Sequence, residues 1–69
     1  MQDWPKIVGK NVRKLRLQRG MTQEQLGFEA GIDLTYVGGI ERGRRNPSLL
    51  VMARIANALS TSLVKLLSE

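Results

Sequence analysis

Hydrogen-bond donors, rather than nucleophiles or metal ligands, dominate the reactive side chains of this 69-residue chain. Arg42, Arg44, Arg45 and Asn46 gather guanidinium groups and a carboxamide into one short stretch around Gly43 and ahead of Pro47, whose types mark a loop. Guanidinium groups match the geometry of phosphate oxygens, so the chemistry expected here is anion binding. The chain has no cysteine and no histidine. Thiol chemistry, imidazole acid–base work and nearly every zinc or transition-metal site are thereby excluded. No base remains to activate a serine, threonine or tyrosine, so neither an enzyme nor a cofactor or metal is expected. Lysine and arginine outnumber the acidic residues 11 to 6, for a net charge of +5. That excess favours a polyanionic partner such as nucleic acid.

These donors need elements to hold them, and the apolar spacing supplies a set of short helices. The composition, 42% apolar but only 4% aromatic, suits a helical bundle in a single domain over residues 1–69. Val8, Val12 and Leu15 recur at helical spacing over residues 4–19, with Pro5 in the first turn and Gly20 at the end. Thr22 followed by Gln25 forms a capping box, and Met21 with Leu26 has the spacing of a hydrophobic staple. This second helix runs to Ala30 and stops at Gly31. Asp33 caps a third, from about Leu34 to Arg42, with Ile32 and Val37 repeating the staple. A turn of only Gly31, Ile32 and Asp33 disfavours antiparallel packing of the two helices and predicts the steep crossing of a helix-turn-helix. Ser48 caps a fourth helix, Leu49 to Leu59, expected to be the most buried, with Met52, Ile55, Ala56 and Leu59 inward. Leu63, Val64, Leu66 and Leu67 form a short fifth helix with more apolar surface than one core face requires.

The run from Met21 to Ser48 resembles the phage repressor and Cro family, also called the Xre family. Arg16, Ile55-Ala56, Ala58-Leu59 and Leu66-Leu67 extend the likeness over nearly the whole chain. Thr35-Tyr36-Val37-Gly38-Gly39-Ile40-Glu41-Arg42-Gly43, followed by Arg45-Asn46-Pro47, is most similar to the controller proteins of restriction-modification systems. The resemblance implies an all-α, five-helix, lambda-repressor-like domain that binds duplex DNA through a recognition helix over about 34–42. Such a helix offers its N-terminal residues to base edges in the major groove. Leu34, Thr35 and Tyr36 are the candidate base contacts, with Tyr36 alternatively turning its hydroxyl to a phosphate. Gly38 and Gly39 join them on the expectation that bare backbone lets the helix sit deep in the groove. Thr22, Gln23, Arg42, Arg44, Arg45 and Asn46 are the candidate phosphate contacts, with one of the arginines alternatively reaching a base edge, since guanine accepts arginine bidentately. Arg16 and Glu41 occupy the positions of a structural ion pair. Lys10, Arg13 and Lys14 share a face of the first helix, expected to be charge in solvent.

Family members dimerise to place two recognition helices one turn of DNA apart, and Leu63, Val64, Leu66 and Leu67 are the candidate interface. The expected role is a sequence-specific repressor or activator of bacterial or phage type, cytoplasmic, with RNA polymerase as a further partner and no membrane association. An antitoxin, or an interaction module that reuses the fold without reading bases, is the alternative. The chain departs from the family pattern at Ser60 and Thr61, where glycine and valine are usual, and at Leu17, Gly27 and Val64, where charged or small residues are.

Overall fold

Each helix of the chain begins at a side-chain cap that the local sequence supplies. The computed structural model describes residues 2–69, and the described residues form five helices with no strand. In α1, Trp4–Gln18, the Asp3 carboxylate accepts the Lys6 backbone N–H at 3.2 Å. Before α2, Gln23–Ala30, Thr22 Oγ1 accepts the Gln25 N–H at 3.0 Å while the Gln25 side chain accepts the Thr22 N–H at 2.8 Å. The capping box therefore satisfies two donors that a helix start otherwise leaves unpaired. Asp33 accepts from Thr35 at 2.9 Å to open α3, Leu34–Glu41. Ser48 and Ser62 do the same for α4, Leu49–Ala58, and α5, Leu63–Leu67.

The first four helices also end alike. In each, an amide just past the last turn bonds back to a carbonyl five residues earlier: Met21 to Arg16, Ile32 to Gly27, Arg44 to Gly39 and Thr61 to Ala56. This closure needs a left-handed residue between. Gly20, Gly31 and Gly43 fill it for α1, α2 and α3, with φ near 70°. Ser60 fills it for α4 at φ 53°, the one non-glycine at positive φ among the described residues.

Between these ends, α1 packs on α3 and α5, α2 packs on α3 and α4, and α4 packs on α5. Val8 and Val12 of α1, Leu26 and Ala30 of α2, Val37 and Ile40 of α3, Ile55 and Ala56 of α4, then Leu59 and Leu66, close a single core. Gly9 brings α1 against the end of α3 so closely that a Cβ there would collide with the Ile40 carbonyl oxygen. Backbone thus meets backbone at the point that sets the tilt of α3. Asn11, two residues on, donates its amide to the carbonyls of Leu66 and Ser68 at 2.8 and 2.7 Å and ties α5 to α1. No helix among the described residues is long and apolar enough to cross a membrane.

Two expectations are corrected here. Leu66 is fully buried in the monomer core, so it has no surface with which to form a dimer interface. The spacing places it on the inner side of α5, where Leu59 and Ile55 already wait, and one apolar run had hidden two faces. The fourth helix is likewise not buried along its length: Leu49 and Leu50 in its first turn stand largely in solvent, and Met52 is half-buried. An apolar composition does not fix which side of a helix the core will use.

Candidate nucleic-acid interface

Three of the candidate donors gather about α3: Gln23 at the start of α2 and Arg42 lie beside Gly38, and Arg45 from the following loop lies against Gly39. At the start of α2, Thr22 is exposed and its hydroxyl oxygen is spent on the cap, which leaves the hydroxyl proton free. Gln23 is half-buried, and its amide donates to Glu41 Oε1 at 3.0 Å, so it ties the start of α2 to the end of α3. At the start of α3, Leu34 and Thr35 are exposed and Tyr36 is half-buried against the core. Arg42, Arg44, Arg45 and Asn46 are all exposed. Among the described residues no cluster of three or more histidine, cysteine or acidic side chains gathers to hold a metal.

Behind this surface lies the strut that fixes it. Arg16 reaches from α1 and donates through Nε to Glu41 Oε2 at 2.6 Å and through Nη2 to Oε1 at 3.1 Å, a bidentate pair. Its Nη1 donates to the Met21 carbonyl at 2.7 Å. The pair is buried, with side-chain exposures of 9% and 2%, and Gln23 completes the carboxylate's shell. Charge-assisted bonds in fixed geometry specify orientation more than they add net stability. One carboxylate at the end of α3 therefore sets where α1, α2 and α3 lie.

Gly38 and Gly39 do not offer bare backbone in this conformation. Both are buried. Beside Gly38 lies the Arg42 guanidinium, 3.1 Å from the place a Cβ would take, with the Gln23 amide oxygen at 3.7 Å. Across Gly39 lies the stem of Arg45, whose Cγ is 2.7 Å from the corresponding point. The Arg45 guanidinium then sits 5.7 Å from the centre of the Tyr36 ring, a cation–π distance. The backbone is not bare but upholstered with arginine. Each glycine in a helix interior costs about 1 kcal/mol relative to alanine, and the space gained here goes to side chains from beyond the helix end.

The helix-turn-helix family model matches residues 12–66 of this chain. A transcriptional regulator of the same type from Sinorhizobium fredii, itself uncharacterised, is 39% identical over 66 residues, 96% of this chain and 86% of the relative. The control protein C.SmaI of Serratia marcescens is 41% identical over 67 residues, 97% of this chain and 80% of that one. The chain belongs to the helix-turn-helix family of transcription regulators. It is a DNA-binding regulator. The crystal structure of the restriction-modification controller protein C.AhdI from Aeromonas hydrophila superimposes with a TM-score of 0.87 at 42% identity, covering 90% of this chain and 94% of that one.

The regulator also presents a residue that sequence reasoning passed over. The Lys6 stem packs on Gly43, with its Cγ 2.7 Å from where a Cβ would lie. The stem of a lysine at the start of α1 thus lies against the glycine that precedes the arginine loop. Nothing local to Lys6 signals this, because the contact spans nearly forty positions of chain. Lys10 and Lys14, by contrast, border a groove with Asn11, Ser68 and Glu69 at the C-terminal end of the regulator.

Proposed function

We propose that the regulator binds, as a homodimer, an operator of inverted half-sites, with α3 in the major groove and no reaction catalysed. The observation that carries this reading is the exposed N-terminal turn of α3, with Gln23 and Arg42 packed beside Gly38 and Arg45 laid against Gly39. Leu34 supplies apolar contact and Thr35 a hydroxyl and a methyl to base edges, with Tyr36 beside them. Thr22, Gln23, Arg42, Arg44 and Asn46 engage phosphates, Lys6 extends the line, and Arg45, laid back along α3, reaches a base edge, where guanine accepts an arginine bidentately. Gly38 and Gly39 contribute through the arginines they accommodate. Val64 and Leu67 are the exposed apolar residues of α5, with Leu63 half-buried beside them, and they serve as the dimer contact. In a dimer the two copies of α3 would then be about 34 Å apart, one turn of the duplex.

The likeness to C.SmaI and C.AhdI favours a controller role for this chain within that reading. Such a regulator acts in the cytoplasm on the nucleoid and, where its operator abuts a promoter, touches RNA polymerase. Selecting bound sites from random duplex DNA tests the proposal. The expected product is an inverted repeat bound by two chains roughly 10³-fold or more above random DNA. Its affinity falls steeply with salt as each phosphate contact releases counterions. Binding indifferent to sequence, or one chain per selected site, overturns it.

A further inference from the structure

Gly39 stands in the middle of α3 with an ordinary helical φ, since the positive values belong to Gly20, Gly31 and Gly43. The backbone therefore does not require a glycine at this position. Core packing does not require it either: the three atoms nearest to an added Cβ all belong to Arg45, at 2.7, 3.2 and 3.5 Å. The contrast with Gly9 is complete, because there a methyl group would meet the backbone of another helix. It also differs from Gly38, where the nearest atom is the tip of the Arg42 side chain, which can swing aside. At Gly39 the nearest atom is Arg45 Cγ, close to that residue's own backbone, so the whole stem must lift to admit a methyl. Arg45 comes from the loop beyond α3 and lies back along the helix, with its guanidinium over the Tyr36 ring.

We propose that Gly39 is a positioning residue for DNA recognition: the missing side chain is a seat that holds Arg45 flat along α3 and presents its guanidinium, backed by Tyr36, on the groove-facing side. The proposal rests on the reading of α3 as the groove helix. A long flexible cation normally gives up rotamer freedom when it binds, and a seat sets part of that ordering in advance. Charge alone does not need this arrangement, because exposed Arg44 supplies charge without it.

The test compares wild type, Gly39→Ala, Arg45→Ala and the double variant. Each is measured on the duplex that wild type selects from a random pool and on a scrambled duplex of equal composition. Gly39→Ala should lower affinity for the selected duplex about tenfold, the scale of one well-formed arginine contact, while binding to the scrambled duplex, set by unchanged net charge, moves little. In the Arg45→Ala background the same glycine change should cost nothing further. In the free protein the Arg45 Hε and Hδ resonances should carry the ring-current shift of Tyr36 and lose it in Gly39→Ala. The melting temperature of Gly39→Ala should not fall. Retained affinity, equal losses in both backgrounds, an unmoved Arg45 spectrum or a lowered melting temperature would each overturn the seat while leaving the groove reading intact. A wild-type chain that binds both duplexes alike overturns the groove reading, and the positioning role falls with it.

Discussion

Around the helix-turn-helix, α1 to α3 are joined by a buried guanidinium–carboxylate pair and by backbone touching backbone at Gly9, with Gln23 closing the network. In the other half, α4 and α5 meet the fold through aliphatic side chains, with one amide, Asn11, as a polar tie, and they leave Leu49, Leu50 and Val64 well over half exposed. Apolar packing is non-directional and tolerates small shifts, whereas a bidentate ion pair and a close backbone crossing permit only one pose. The half proposed to meet DNA carries the directional contacts. Exposed apolar side chains occur in both halves, Leu17 and Phe28 in the first and Leu49, Leu50 and Val64 in the second, and it is the second, through α5, that is proposed to meet a second copy.

Breaking the strut should have the largest effect. Glu41→Ala leaves Arg16 buried at 8% exposure without its counter-charge and removes the acceptor of Gln23 as well. A loss of roughly 3–5 kcal/mol is expected, read from urea denaturation, because an uncompensated buried charge is costly even where the pair itself adds little. Arg19→Ala, an exposed cation that reaches only the Ser60 carbonyl at 3.3 Å, should stay within about 0.5 kcal/mol of wild type. Comparable losses in the two variants would abolish the distinction between a specified half and a tolerant one.

Next in size, the two faces of α5 should separate cleanly. Leu66→Ala removes a fully buried side chain and should cost roughly 2–5 kcal/mol. Val64 is 73% exposed, so Val64→Ser should leave monomer stability within about 0.5 kcal/mol while weakening self-association in sedimentation. If Val64→Ser destabilised the monomer as much as Leu66→Ala, α5 would have no free face, and the proposed dimer contact would have to lie elsewhere.

What the sequence could reveal followed the range of each interaction. Caps and stops are local, and Thr22, Gly31, Asp33 and Ser48 stand where their types place them. The Arg16–Glu41 pairing came from family likeness, since no short-range pattern relates two residues 25 positions apart. The role of Gly38 and Gly39 was not legible, because it depends on where the Arg42 and Arg45 side chains turn after the helix ends. The Lys6 approach to Gly43 and the inward turn of Leu66 were hidden for the same reason. Both are settled by which helix packs on which, and an apolar run such as Leu63 to Leu67 is compatible with more than one answer.

The smallest effect concerns Ser60, and its sign is opposite. Three of the four matching helix ends in the fold use glycine at the left-handed position, and α4 uses serine at φ 53°. A residue with a Cβ is disfavoured there by roughly 1–2 kcal/mol, partly offset on substitution because glycine also widens the unfolded ensemble. The bonds that close α4, Ser60 N–H to the Asn57 carbonyl and Thr61 N–H to the Ala56 carbonyl, are made by backbone and survive the change. So does the Arg19 contact, which reaches the Ser60 carbonyl and not its hydroxyl. Ser60→Gly should therefore stabilise the regulator by about 0.5–1 kcal/mol, or raise its melting temperature by several degrees for a domain of this size. The reverse change at the matching position, Gly31→Ser, should lower stability by a similar amount. If both substitutions were neutral, the left-handed turns would carry no strain, and the difference between the two halves would rest on Arg16, Glu41 and Gly9 alone.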